Sequence, residues 1–184
     1  MVLVLSNQQL SAMHSHAERV YPEECCGLIV GTLDASQERP VKRVVELAAL
    51  DNRWTPDVAE LAASELADLN RGGNPKQLEH SSGHINKQRR YWIDPADMLR
   101  VQKQARNKGL SIIGVYHSHP DQAAVPSECD RVQAWPDYAY TIVSVQSGKA
   151  VDAQNWALDS AHQFQPEAMQ MAPSSATDRM PISA

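Results

Sequence analysis

The spacing of apolar positions changes several times along the chain, and each change predicts an element. After an apolar start, "VLVL", the stretch "SNQQLSAMHSHAERVYP" repeats Leu10, Met13, Ala17 and Val20 at intervals of three and four. That is the stripe of an amphipathic helix, capped near Ser6 or Asn7 and ended by Pro22. "CCGLIVGTL" and "VKRVVELAAL" are short apolar or β-branched runs separated by the polar "DASQERP", which predicts two strands able to pair as a hairpin. "IDPADMLRVQKQARNKGL" predicts a second helix, with Asp94 as N-cap, Pro95 at the first helical position, Asp97 in the first turn and Gly109 after a basic last turn. "SIIGVY" reads as a buried strand, and "YAYTIVSV" and "AVDAQNWALD" as two more joined by a Ser-Gly turn. Between Asp51 and Arg90 the pattern breaks. A short helix, "PDVAELAASELADLN", leads into "RGGNPKQLEHSSGHINKQRR", which is polar and aperiodic and reads as an inserted loop. Beyond Pro166 the segment 167–184 has little to bury and is expected to be disordered, leaving residues 1–166 as one domain.

Composition narrows the classes. The chain has 184 residues, 42% of them hydrophobic, enough for a single core. A formal net charge of −5 and the lack of any basic run beyond "QRR" exclude an electrostatic footprint for nucleic acid or an anionic membrane. No apolar stretch approaches the roughly 20 residues that span a bilayer, and the start lacks the basic-then-apolar pattern of a signal peptide, so the expected location is cytoplasmic. Cys25, Cys26 and Cys129 are odd in number with two adjacent, which suits a reducing compartment better than a disulfide framework.

The tripeptide "HSH" occurs twice, and its two contexts differ. On a helix, residues two apart project about 200° apart, so His14 and His16 cannot share an ion and read as solvent-facing or half-buried helix residues. On a strand, residues two apart leave the same face, so His117 and His119 can both reach one metal ion. The following "SECD" offers Asp130 as a third ligand. Ser127 and Asp130 also have the spacing of a helix capping box, and the two readings are compatible, because a first-turn acid is held beside its capping hydroxyl.

"HSHPDQAAVPSECD" resembles the metal signature of the JAMM metalloproteases, the MPN-plus or Mov34/PAD-1 family, and "YPEECCGLIVG" resembles the segment carrying that family's upstream glutamate. The likeness extends through "YWIDPADML" and "WPDYAYTIVSV" and is greatest to the compact single-domain bacterial members. It implies an α/β fold of the MPN (JAMM, cytidine-deaminase-like) type, a mixed, curved β-sheet flanked by helices. It also implies one zinc ion on His117, His119 and Asp130, with Glu24 rather than Glu23 as the catalytic glutamate and Ser127 as the oxyanion donor. Three protein ligands leave zinc a fourth position for water, whose pKa falls from about 15.7 toward about 7. A neighbouring carboxylate can then move a proton from that water to the departing amine. The resemblance further implies a peptidase or isopeptidase acting at the C-terminal tail of a ubiquitin-like or sulfur-carrier β-grasp protein. The polar insert around Gly72 to Arg90 would form a flap over that tail.

Other residues invite weaker readings. Cys25 and Cys26 lie on a buried strand, where a packing role outweighs a thiol nucleophile. Cys129, between Ser127 and Asp130, could pack on the helix or act near the metal. His80 and His84 have helical ligand spacing but enclose Gly83 and lack an intervening Glu, which favours loop histidines. His162 has no evident partner. A non-catalytic MPN scaffold and a metal-binding regulator are the alternatives; the intact ligand set argues against the first, and the open ligand set and absent basic face against the second.

Overall fold

The computed structural model describes residues 1–58 and 86–172. Its elements run β1 (Val2–Leu5), α1 (Asn7–Val20), β2 (Cys26–Asp34), β3 (Val41–Leu50), α2 (Pro95–Asn107), β4 (Ser111–Pro120), α3 (Glu128–Gln133), β5 (Ala139–Gln146), β6 (Lys149–Leu158), β7 (Phe164–Pro166) and β8 (Ala168–Met171). The strands form one mixed sheet in the order β7-β6-β5-β4-β2-β3-β1-β8. β2 and β3 pair antiparallel, as do β5 and β6, so both predicted hairpins form. The β5–β6 turn places Ser147 and Gly148 at φ 49° and 81°, the two positive values a twisted two-residue hairpin turn requires.

Local chemistry sets the helix ends. Ser6 caps α1 in a reciprocal box: its hydroxyl accepts from the Gln9 amide at 3.1 Å, and the Gln9 side chain accepts from the Ser6 amide at 2.8 Å. Asp94 caps α2 by accepting from the Ala96 amide at 2.7 Å, and Gly109 leaves that helix at φ 70°, where a side chain would be strained. The sheet's two faces carry separate cores. α1 buries Met13 and Ala17 against Leu3, Leu5, Cys25, Ile29 and Tyr116. α2 buries Val101 and Ala105 against Cys26, Leu28, Val30 and Val115. Gly27 lets these layers close, since a Cβ there would run into the Tyr116 ring.

Two expectations change. β1, an unassigned apolar start in the sequence, is an interior strand parallel to both β3 and β8. The segment after Pro166, expected to be disordered from residue 167, instead continues as β8. β7 and β8 are the opposite edges of the sheet yet are separated in sequence by Glu167 alone, so one stretch of chain pairs first with β6 and then with β1 and nearly closes the curved sheet. Its stabilisation is polar as well as apolar. The Glu167 carboxylate, 2% exposed, accepts from Lys42 Nζ at 3.3 Å and from Asn155 Nδ2 at 2.7 Å. Apolar counting misses a strand anchored by a buried charge. Residues 56–58 open the helix predicted after β3. The remainder of that helix, most of the inserted loop with its flap, His80 and His84, and residues 173–184 lie outside the described residues.

Among the described residues no helix is long and apolar enough to cross a membrane.

Candidate metal centre

β4 runs between β2 and β5 and continues past the start of β2, so its last residues form a ledge. The register pairs Cys26 with His117, and the Ser118 amide donates to the Cys25 carbonyl at 3.2 Å. Strand alternation then places His117 and His119 on the α2 face and Ser118 on the α1 face. The Ser118 hydroxyl turns away from the histidines and accepts from the Cys25 amide at 2.8 Å. Counting back from Cys26, Glu24 falls opposite His119 on the same face.

α3 supplies the remaining side chain. Ser127 is its N-cap and Asp130 its third residue, and both halves of the capping box form: the Asp130 amide donates to Ser127 Oγ at 3.3 Å and the Ser127 amide to Asp130 Oδ2 at 2.6 Å. This fixes the carboxylate against the histidines. The Nε2 atoms of His117 and His119 are 3.1 Å apart; His117 Nε2 lies 3.4 Å from Asp130 Oδ1, and His119 Nε2 lies 3.7 Å from Asp130 Oδ2. Ligands bound tetrahedrally to zinc at about 2.0–2.1 Å stand about 3.3 Å from one another, so the three buried side chains fit one such ion.

The surroundings orient these ligands. His119 Nδ1 donates to the Ala123 carbonyl at 3.0 Å, which leaves Nε2 with its lone pair toward His117 and Asp130. His117 stacks on Tyr91 with ring centroids 4.6 Å apart, and its Nδ1 is buried without a hydrogen-bond partner among the described residues. Tyr91 and Ala123 carry no residue-level signal in the sequence, although Tyr91 opens the "YWIDPADML" stretch.

Burial governs the electrostatics. It pushes Glu24 up to about 8, with Asp130 adding to the shift and His119 and Arg90 opposing it. It pushes His117 down to about 4. For Asp130 burial is again the largest influence, but His117, His119 and the Ser127 side chain overcome it and hold the carboxyl well below the usual range. Burial and its neighbours thus drive the two carboxyls of the site in opposite directions, Glu24 upward and Asp130 downward.

The remaining candidates lie elsewhere. His16 is buried more deeply than expected, with Nδ1 2.9 Å from the Tyr116 hydroxyl, and His14 is half-buried beside it on α1. Cys25 and Cys26 are buried free thiols, and burial pushes Cys25 up to about 12, which keeps it unreactive. Cys129 is a free, half-buried thiol on α3. His162 does have a partner: its ring lies 3.0 Å from the Arg131 carbonyl, and its own carbonyl accepts from Arg131 at 3.3 Å, tying α3 to the β6–β7 turn.

A curved mixed sheet with helices on both faces, carrying two imidazoles at the end of a central strand and an aspartate in the next helix, defines a domain of the JAB/MPN class. Residues 6–159 match the family described as prokaryotic homologs of the JAB domain, and the chain belongs to that family. It is 40% identical over 55 residues to the desampylase of Haloferax volcanii, covering 29% of this chain and 40% of that protein. It is 35% identical over 60 residues to a probable TtuB-protein conjugate cleaving protease of Thermus thermophilus, covering 33% of this chain and 40% of that protein. Each match therefore spans less than half of the relative's length. A solution structure of a protein from Desulfitobacterium hafniense superposes with a TM-score of 0.66 at 21% identity, covering 95% of both chains, and shares the fold.

Proposed function

We propose that the protein is a zinc-dependent hydrolase of amide bonds that cleaves conjugates or C-terminal tails of ubiquitin-like or sulfur-carrier β-grasp proteins. The observation that carries this reading is the convergence of His117, His119 and Asp130 within ligand distance of a single ion, with Glu24 buried on the same face. The names of the two relatives, one a desampylase and one a conjugate-cleaving protease, support the substrate class.

In this reading His117, His119 and Asp130 hold one zinc. When bound, that ion supplies Lewis acidity, polarising the scissile carbonyl and acidifying water. Glu24 takes the proton from the attacking water and delivers it to the nitrogen of the departing amine. Ser127 stabilises the oxyanion. As helix cap its oxygen accepts from the Asp130 amide, and its hydroxyl would donate to the developing negative charge.

The test compares parent and Glu24→Gln proteins, each with its bound zinc measured, on β-grasp proteins carrying a fluorogenic amine on the C-terminal glycine. The expected outcome is zinc-dependent release by the parent, with the variant retaining metal but losing turnover. Equal turnover in both, or no zinc-dependent release from any conjugate, overturns the proposal.

A further inference from the structure

Glu24 lies outside the ladder of β2, which begins at Cys26, so the direction of its side chain depends on how its own backbone is held. The charges acting on its carboxyl, those of His119, Asp130 and Arg90, act through space, with no hydrogen bond among them. Two peptide planes meet at its Cα, and both are pinned. The Glu24 amide donates to the Lys87 carbonyl at 2.7 Å. The next plane is held at both ends, the Glu24 carbonyl accepting from Asn52 Nδ2 at 3.0 Å and the Cys25 amide donating to Ser118 Oγ at 2.8 Å.

Asn52 does more than fill one bond. It is 8% exposed, and all four hydrogen-bonding positions of its amide are used. Nδ2 also donates to the Arg90 carbonyl at 2.9 Å, and Oδ1 accepts from the Trp54 amide at 3.0 Å and the Trp92 amide at 3.2 Å. Because every partner is backbone, the amide can sit only one way round. A single side chain thereby joins the Glu24 peptide to the segment leaving β3 and to the segment leading into α2, and the Arg53 amide donating to the Trp92 carbonyl at 3.0 Å ties those segments to each other.

We propose that Asn52 is a positioning residue for the reaction: by fixing the Glu24–Cys25 peptide plane it sets the aim of the Glu24 carboxylate at the water and the leaving amine. The inference rests on the reading of Glu24 as proton shuttle. Asn52→Asp is nearly isosteric and keeps the acceptor for Trp54 and Trp92, but it replaces both donors with an oxygen facing two carbonyls. The Glu24 peptide then loses one of its three tethers, and a misaimed general base loses rate without losing substrate affinity.

The experiment measures kcat and KM, normalised to bound zinc, for the parent, Asn52→Asp, Asn52→Ser, Glu24→Gln and the Glu24→Gln/Asn52→Asp pair on the fluorogenic β-grasp conjugate. Thr141→Val, which alters a buried hydrogen bond to Asn155, serves as a stability control. Asn52→Asp is expected to lower kcat about 10- to 100-fold with KM within about twofold. Asn52→Ser, too short to reach either carbonyl, should also lower kcat, and the paired variant should be no slower than Glu24→Gln alone. In the metal-free protein, amide exchange at Glu24 and Cys25, the two amides flanking the freed peptide, should accelerate in Asn52→Asp and not in Thr141→Val. An unchanged kcat in Asn52→Asp, a loss equalled by Thr141→Val, or a paired variant that loses the product of the two single effects overturns the inference and leaves the role of Glu24 standing. Full activity in Glu24→Gln overturns both.

Discussion

The closure of the sheet at Glu167 leads to a quantitative prediction. Lys42 on β3 and Glu167 between β7 and β8 are ion-paired at 3.3 Å with side-chain exposures of 1% and 2%. The same carboxylate takes the Asn155 amide, whose Oδ1 accepts from Thr141. Glu167→Ala leaves the Lys42 ammonium and the Asn155 donor buried and unpaired. Stranding the charge costs about 3–5 kcal/mol, and the unsatisfied amide adds about 1–3 kcal/mol. That is a large part of the roughly 5–15 kcal/mol that holds a domain of this kind folded. Lys42→Met costs less, because Glu167 keeps its bond to Asn155. The double variant Lys42→Met/Glu167→Leu removes both charges and should recover most of the loss of Glu167→Ala. Urea unfolding of all four proteins at low and high salt checks this. The exposed pair Lys108–Glu46 is the comparison, since Glu46→Ala should cost under about 1 kcal/mol and be screened by salt, whereas the buried pair should respond little. If Glu167→Ala cost under about 1 kcal/mol, or the double variant lost the sum of the single effects, the buried network would not be what holds β8 in place.

Four further outcomes follow from the proposed metal centre. Ser127→Ala should lose about 1 kcal/mol of stability as a helix cap and about 100-fold in kcat as an oxyanion donor, read by urea unfolding and by turnover of the fluorogenic conjugate. Asp130→Asn, which keeps the side chain's size but not its charge, should reduce bound zinc from one ion per chain to near none in elemental analysis. Under the proposed zinc assignment, chelation should lower the melting temperature of the parent, since a ligand at about 100 times its Kd adds about 2.7 kcal/mol to the folded state. In the chelated protein Glu24 also makes stability depend on pH. Its folded pKa of about 8 lies above the 4.5 of an ordinary glutamate, so the folded state binds the extra proton. The associated stability is complete below about 4.5 and is lost as pH rises through about 8. Glu24→Gln should therefore become progressively more stable than the parent across that window, and parallel stability curves for the two proteins would contradict the burial argument.

Most of the site was legible because each of its parts has a local period or spacing. His117 and His119 share a face through strand alternation, and Ser127 and Asp130 stand at the two ends of a capping box. The residues that support them were not legible. Tyr91, Ala123 and Asn52 act through a ring face, a backbone carbonyl and a four-way amide clamp between loops, and none of these contacts has a repeat in the sequence. The fold divides the same way. α1, α2 and the two hairpins follow from stripes and turn residues, whereas β1 and β8 pair in parallel with partners far along the chain and depend on a buried ion pair that polar composition disguises.

The two "HSH" tripeptides show why spacing alone does not make a ligand pair. On α1 the second histidine turns into the core, where its ring meets the Tyr116 hydroxyl, while the first is only half-buried. On β4 the same three letters bring two Nε2 atoms within 3.1 Å. The adjacent glutamates make the complementary point. Glu23 is 47% exposed and stands 4.0 Å from Lys87, whereas Glu24 is 5% exposed on the histidine face. One residue of register separates a solvated carboxylate from one that burial drives toward neutrality. That register is set by Cys26 pairing with His117 and carried back to Glu24 by the Ser118 and Asn52 bonds, so a shift of one position between β2 and β4 would replace Glu24 with Glu23 opposite His119 and turn Glu24 toward the α1 face.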